Sequence, residues 1–509
     1  MSKGKGSAMG KKQQSIKINF IMNALLSMSS FLFPLITFPY VCRTILPAGY
    51  GKTQFASSVI IYFVNFAQLG IPTYGIRACA KVRDDRKKLS KTVHEIFVIG
   101  FVTCIISYIA FFLSVAFVPK FRAEKTLFLL MSSSILFYTI GIEWLYKALE
   151  QYKYITVRSL IFKVIALGAM FLLVHTEEDY VIYGVISIFA SSASNIMNFF
   201  YARHFIDIKP MGGYNYRQHL KSIFVFFAMS CATTIYVHLD SVMLGFMKTD
   251  EDVGYYNTAI KIKMILLSIV TSLGAVLLPR VSYYIKNKMQ DEFERITKKA
   301  LTFVVVFAMP LCLYFMLYAT ESVYFLSGIE YEKAIIPMII IMGTLPIIGL
   351  TNIMGIQMLV PLEKEKYVLY SEVAGAIIDL IINVFLIPKM ASAGAAIGTL
   401  VAEIVVWIVQ YIALRDIVRP AYRMVPFFKV ITGMVLGTAG SVWVKFLNFG
   451  NMKLELECFI KLAVSACLFF GIYLLVLLLL KEQLTTEITS GIWKKLFKRR
   501  GEEKIKTDD

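Results

Sequence analysis

Residues 18–41 read INFIMNALLSMSSFLFPLITFPYV, a run of 24 positions without a single charged side chain. At 1.5 Å of rise per residue such a helix is ~36 Å long, enough to cross the ~30 Å hydrocarbon core of a bilayer. Lys3, Lys5, Lys11, Lys12 and Lys17 stand before it. The run exceeds the apolar core of a secretory leader and shows no small-residue cleavage site, so it is expected to persist as a first membrane helix.

Runs of the same kind recur to the end of the chain, each closed by a turn or a charge cluster. They predict fourteen helices, at 18–42, 53–76, 93–117, 126–147, 154–174, 180–202, 220–246, 255–283, 300–326, 334–359, 367–387, 393–414, 426–446 and 457–480. Composition agrees: 57% of the 509 residues are apolar, 17% are charged, and mean hydropathy is +0.66. A water-soluble enzyme of this length would split into several domains with far more charge. An outer-membrane barrel would show short alternating strands in place of long runs. The expectation is an all-α integral membrane protein.

Charge sets its expected orientation. Of the 53 Lys and Arg residues, 39 fall in the N-terminal tail, every second loop and the tail after Leu480. Eleven lie on the opposite face, and Lys163, Lys261 and Lys263 lie inside helices. Positive residues accumulate on the cytoplasmic side, which places both termini there. The net charge of +19 therefore reads as loop bias and not as a nucleic-acid surface. The seven cysteines have no CxxC spacing and the five histidines are scattered, so neither a disulfide framework nor a metal site is expected.

The chain repeats itself. Ala48-Gly49-Tyr50-Gly51 after the first helix matches Val253-Gly254-Tyr255-Tyr256 after the seventh. Tyr152-Lys153-Tyr154 matches Glu365-Lys366-Tyr367, and Asp207-Ile208-Lys209-Pro210 matches Ile417-Val418-Arg419-Pro420. The offsets are 205, 213 and 210 residues. Three matches in one order predict two pseudo-symmetric six-helix lobes around a central cavity, related by an axis along the membrane normal, with two further helices at the C-terminus. The expected organisation is a cytoplasmic N-tail (1–17), an N-lobe (18–202), a linker (203–219) and a C-lobe (220–420). Helices 13–14 (421–480) and a basic cytoplasmic tail (481–509) follow. In that tail Trp493–Arg500 is amphipathic, fit either to lie on anionic membrane lipid or to remain a solvated end.

Several segments carry a resemblance. Phe33-Pro34-Leu35-Ile36-Thr37-Phe38-Pro39-Tyr40 with Leu46-Pro47-Ala48-Gly49-Tyr50-Gly51, and Gly70-Ile71-Pro72-Thr73-Tyr74-Gly75-Ile76-Arg77, are two of them. Gly141-Ile142-Glu143-Trp144-Leu145-Tyr146, Leu239-Asp240-Ser241-Val242-Met243-Leu244-Gly245 and Gly394-Ala395-Ala396-Ile397-Gly398-Thr399 are the others. Over roughly the first 420 residues the sequence resembles the bacterial polysaccharide flippases, which move O-antigen, capsule or teichoic-type repeat units. Their superfamily also holds multidrug and toxin extrusion antiporters and lipid II flippases. The resemblance implies a V-shaped two-lobed transporter of the bacterial cytoplasmic membrane, not an enzyme. Its implied cargo is an undecaprenyl-pyrophosphate-linked oligosaccharide, moved from the cytoplasmic to the outer leaflet, with a polysaccharide polymerase machinery as a possible partner. The alternatives on the same fold are a lipid II flippase and a cation-coupled multidrug antiporter. Against the antiporter, the first helix has no Asp or Glu, where many of that class place a coupling carboxylate. A membrane-embedded glycan polymerase would need a substantial outer loop, and the outer loops here are short.

Ionisable groups at bilayer depth mark function by default, because each is costly unless paired or wetted. Lys163, Lys261, Arg77 and Arg43 span the membrane depth and are the expected stations for a pyrophosphate anion; the alternative for Arg43 and Arg77 is anchoring of helix ends. Asp379, Asn383 and Glu403 share one level and could bind Na⁺ or a proton, or else bond across helices. Glu143 and Arg158 lie at matching depth and are expected to form a structural ion pair. Asp240 and Lys261 could neutralise each other.

Overall fold

This computed structural model describes residues 16–450, 452–487 and 489–490. The first fifteen residues of the N-tail and the Trp493–Arg500 stretch lie outside them. All regular structure among the described residues is helical, and twelve segments are long and apolar enough to cross a membrane. Two of the twelve, Phe33–Ala80 with 48 residues and Glu365–Ala413 with 49, are more than twice what one crossing requires. Each is broken by a residue with positive φ, Leu46 at φ 57° and Ala391 at φ 47°, and the first has a further break at Leu69 (φ 46°) and Gly70 (φ 72°).

At Ala391 the chain reverses. A Cβ built on Gly394 would stand 2.5 Å from the carbonyl oxygen of Leu386. Gln410 Nε2 donates to Ser371 Oγ at 3.1 Å, although a straight helix would hold those residues ~58 Å apart. Counting each long segment as a pair gives fourteen crossings, one for each expected run. They are α1 (16–45), α2 (47–80), α3 (Arg86–Phe117), α4 (Lys125–Ala148), α5 (Tyr152–Leu173), α6 (Glu177–His204) and α7 (Arg217–Met247). The rest are α8 (Asp250–Lys286), α9 (Gln290–Leu317), α10 (Ile329–Leu359), α11 (365–390), α12 (392–413), α13 (Phe427–Phe446) and α14 (Leu454–Leu479).

Most helix starts fall before the expected ones, three of them by six residues or more: the second, the third (Arg86 against residue 93) and the ninth. The second begins at Pro47 and not at residue 53, since proline at the first helical position costs no hydrogen bond. The ninth begins at Gln290 and not at residue 300, because Gln290–Lys299 forms polar turns that extend the helix past its apolar core. Hydropathy reads only the part of a helix that meets lipid. Short-range signals set other ends: Asp85 accepts from the amides of Lys87 and Lys88 at 3.0 and 3.1 Å and caps α3, and Thr249 with Asp252 forms a capping box on α8.

The described chain packs as two compact units, one of residues up to 37 with 59–231, the other of 38–58 with residues from 232 onward. In the first, Leu69, Ile96, Trp144, Tyr146, Ile155 and Phe205 belong to one buried apolar cluster. The ring of Trp144 fills the space where Gly75 has no Cβ, so the two quoted segments 70–77 and 141–146 pack directly on each other. Residues 203–219 stay with this unit. Arg86 binds Asp207 at 2.8 Å, and buried Glu95 accepts from Asn215 N at 2.7 Å, Gln218 Nε2 at 2.9 Å and His219 Nε2 at 2.7 Å.

In the second unit the repeated segments meet each other. Gly51 packs on the carbonyl of Asp250, and Gly254 packs on the carbonyl of Pro47. The two contacts exchange under one shift of 203 positions, the pattern that a two-fold relation between duplicated pieces produces, and not under the 205 that aligns Gly49 with Gly254: the structure pairs Gly51 with Gly254. A side chain at either glycine would force the turns apart.

Candidate functional site

The α11–α12 hairpin carries a buried stripe on each arm. Ser371, Gly375, Asp379, Asn383 and Ile387 recur every fourth residue on α11 and are all buried, which places them on one helix face. Gly398, Ala402, Glu403, Val406 and Gln410 line the facing side of α12. Small residues let the arms close: Gly375 receives Val406, and Gly398 leaves its Cβ position to the oxygens Asn383 Oδ1 and Asp379 Oδ1, the latter 2.8 Å away.

α7 and α8 complete the cluster. Asp240 of α7 is 3% exposed, and both of its oxygens are taken. Its Oδ1 accepts from Asn383 Nδ2 at 2.5 Å, and its Oδ2 accepts from Thr399 Oγ1 at 2.8 Å and from the Tyr256 hydroxyl. The carboxyl of Asp379 faces that of Asp240. Asp379 Oδ1 and Asn383 Oδ1 are buried without a hydrogen-bond partner among the described residues. One turn away, Lys263 of α8 is buried facing Glu403 and Asp240, and Tyr236 stands beside Glu403.

The cluster thus holds three carboxylates against one ammonium, with two acceptor oxygens unused at the same glycine. A buried acceptor without a donor is costly, and a proton or a small cation is the kind of partner that would relieve that cost. The donors are carboxylate, amide and hydroxyl oxygens, which suit a hard cation such as Na⁺ and not a soft transition metal.

The other sequence candidates fall elsewhere. Lys261 does not face Asp240, whose cationic neighbour is Lys263. The two lysines are two positions apart, so they take different sides of α8, and Lys261 lies near Cys42. Arg43 donates to the carbonyls of Pro39 at 3.1 Å and Phe325 at 2.5 Å and approaches Glu455 at 3.7 Å. In the first unit Arg158 donates through Nη2 to Glu143 at 3.1 Å and through Nη1 to the carbonyl of Ser194 and to Asn195 Oδ1 at 3.3 and 3.4 Å. Lys163, half-buried in α5, donates to Ser29 of α1 at 2.9 Å, and Arg77 is exposed at the end of α2.

Sequence reasoning missed Tyr256, Thr399, Tyr236 and Gly398 as partners of the carboxylates. A signal existed for two of them: Tyr256 ends the repeated Val253–Tyr256 segment, and Thr399 lies one turn before Glu403. Neither says which helix faces which.

A family model described as polysaccharide biosynthesis protein matches residues 16–285. The putative O-antigen transporter of Escherichia coli (strain K12) is 24% identical over 411 residues, 80% of this chain and 99% of that one. A probable low-salt glycan biosynthesis flippase of Haloferax volcanii is 23% identical over 186 residues, 36% of this chain and 39% of that one. Among solved structures, the lipid II flippase MurJ in an inward closed conformation aligns with TM-score 0.69 at 14% identity, covering 92% of this chain and 100% of that chain. An inward-facing multidrug resistance transporter of the MATE family aligns with TM-score 0.59 at 12% identity, covering 80% and 99%. These likenesses confirm the all-helical membrane fold expected from the apolar runs. With more than half its length matched, this multi-pass membrane protein belongs to the polysaccharide biosynthesis protein family.

Proposed function

We propose that the chain is a flippase that carries undecaprenyl-pyrophosphate-linked oligosaccharide repeat units from the cytoplasmic to the outer leaflet by alternating access, for cell-surface polysaccharide biosynthesis. The observation that carries this reading is the similarity to the E. coli putative O-antigen transporter, which takes in 99% of that protein's length. The membrane is the bacterial cytoplasmic membrane, and the 39-to-11 division of basic residues puts both termini in the cytoplasm. Single cysteines at Asp84 and Asp250 should then react with an impermeant thiol reagent from opposite sides; reaction of both from one side refutes the orientation.

Pyrophosphate must leave water to cross, and fixed cations lower that cost. Lys163, Lys261 and Arg77 are the proposed stations, since the guanidinium of Arg43 is engaged by carbonyls and Glu455. Coupling to Na⁺ or H⁺ is assigned to Asp379, Asn383 and Glu403 together with Asp240. A cation there pairs the two unused oxygens and so favours whichever conformation holds them together.

The test is extraction of lipid-linked intermediates from cells lacking the protein. Accumulation of undecaprenyl-pyrophosphate-linked oligosaccharide is the expected result; accumulation of lipid II in its place overturns the cargo assignment. Lys163→Ala should insert normally yet fail to complement, with Lys163→Arg restoring part of the activity. Full complementation by Lys163→Ala at wild-type expression removes this residue from the anion path.

A further inference from the structure

The second unit has a basic cavity of about 340 Å³ at the start of α9, the start of α13 and the segment after α14. Arg295, Lys298, Lys299, Lys429 and Lys481 line it, against two carboxylates, Glu482 and Glu487. Both carboxylates are committed. Glu482 is buried and accepts from the amides of Leu484 at 3.1 Å and Thr485 at 2.6 Å. Glu487 binds Lys299 at 2.6 Å, and that ammonium holds its carboxyl below the ordinary value. Of the cations, Arg295 pairs with Glu292 at 2.6 Å and Lys429 donates to the carbonyl of Lys481 at 3.2 Å. The ammonium groups of Lys298 and Lys481 make no such bond among the described residues.

A second cavity of about 430 Å³ is walled by apolar side chains of α9, α10, α12 and α13, including Met309, Ile347, Leu350 and Trp407. Thr302 of the basic cavity and Val305 of the apolar one are one turn apart on α9, and Pro426 and Phe427 are consecutive. A positive socket at helix ends and an apolar groove along helices that cross the membrane thus have neighbouring walls on α9 and at the α13 start. A soluble anion would use the socket alone. A molecule with a phosphate head and a hydrocarbon chain uses both.

We propose that this socket and groove hold one anionic glycerophospholipid of the leaflet at the α9 start, its phosphate between Lys298, Lys429 and Lys481 and one acyl chain along the groove. None of Asp240, Asp379 and Glu403 lines either cavity, and the site does not depend on which glycolipid the protein carries.

Delipidated full-length protein in detergent would be titrated with phosphatidylglycerol, phosphatidylcholine of the same chains, dihexanoyl phosphatidylglycerol and inorganic phosphate, with binding read by native mass spectrometry. One phosphatidylglycerol should bind at least tenfold tighter than phosphatidylcholine. Phosphate and the short-chain lipid should be far weaker. Lys298→Gln with Lys481→Gln should remove the preference for phosphatidylglycerol while leaving the melting temperature without lipid unchanged, and Lys298→Arg with Lys481→Arg should keep it. Leu350→Trp should weaken the long-chain lipid and leave the short-chain one alone. Equal binding of both long-chain lipids, an undiminished preference in the double Gln variant, or phosphate binding as tight as phosphatidylglycerol each overturns the proposal.

Discussion

Each unit has a buried polar cluster, and the two are balanced in opposite ways. In the first, Glu143 receives two cations, Lys147 at 2.8 Å and Arg158 at 3.1 Å, and Arg158 spends its other terminal nitrogen on Ser194 and Asn195. In the second, Lys263 faces two of three buried carboxylates, and two acceptor oxygens are left over beside Gly398. Arg158 leaves only its Nε without a partner among the described residues, so in this cluster no acceptor of Glu143 waits for a cation, and the paired charge holds helices together. A cluster with spare acceptors is incomplete until something binds. Ionisable residues within the membrane are thus not equivalent markers: the ratio of donors to acceptors separates a rivet from a socket.

The comparison predicts its largest effect at the rivet. Arg158, 2% exposed at its side chain, should cost about 3 kcal/mol when replaced by Leu, because Glu143 keeps only Lys147 and the buried acceptors of Ser194 and Asn195 lose a charged donor. Thermal unfolding in detergent reads this, and Arg158→Leu with Glu143→Gln should recover part of the loss. Unaltered melting in the single variant would remove the distinction between the clusters.

Asp379→Asn acts on the socket and should do the reverse, leaving the fold intact while abolishing its response to cation. Wild type should gain about 2.7 kcal/mol of stability when Na⁺ reaches a hundred times its dissociation constant, by mass action alone. A melting temperature that climbs with Na⁺ or with protons in wild type and stays flat in the variant is the expected outcome. Equal slopes would make the cluster ordinary interhelical packing. Gly398→Ala sharpens this further: its Cβ would press on the two unused oxygens, costing about 1–3 kcal/mol by overpacking and blocking the cation without touching a charge.

The smallest effect lies outside both clusters. The amide of Lys88 first, then its ammonium and the amide of Lys87, hold the exposed Asp85 carboxyl below its ordinary value of 3.8. This cap is therefore worth its full amount above that pH and is lost as pH falls through the lowered value. Asp85→Ala should melt slightly below wild type at neutral pH, with the gap closing in acid, and should not alter the cation response.

Much of this fold was legible because lipid imposes a simple rule on sequence. A span needs about twenty apolar residues, so runs such as 18–41 and 457–480 announce themselves, and the Gly-Tyr pairs at 49–50 and 254–255 flag the duplicated turns, two residues out of the register the structure uses. The ends were less legible: the first turns of α9 are helical yet polar. The site was readable only in part. Depth along a helix put Asp379, Asn383 and Glu403 on one level, since depth is counted in residues. Azimuth between helices is not, so the partnership of Asp240 with Asn383 and Thr399, and the choice of Lys263 over Lys261, required the packed structure. Arg43 shows the same gap: its depth fits an anion path, but carbonyls from the far side of the sequence hold it.

The reversal at Ala391 also bears on how the chain enters the membrane. A lone α11 would carry Asp379 and Asn383 into hydrocarbon uncovered, and a single aspartate at a helix centre is charged about 2.5–3.5 kcal/mol by the insertion machinery. With no loop between them, α12 emerges from the ribosome directly behind α11. Ser371 can meet Gln410, and the glycine at 398 can close over the acid, before any other helix arrives. The tight turn lets the pair partition as a hairpin whose polar stripe is already turned inward, so a protein that needs an acid in mid-membrane can be assembled without first exposing it to lipid.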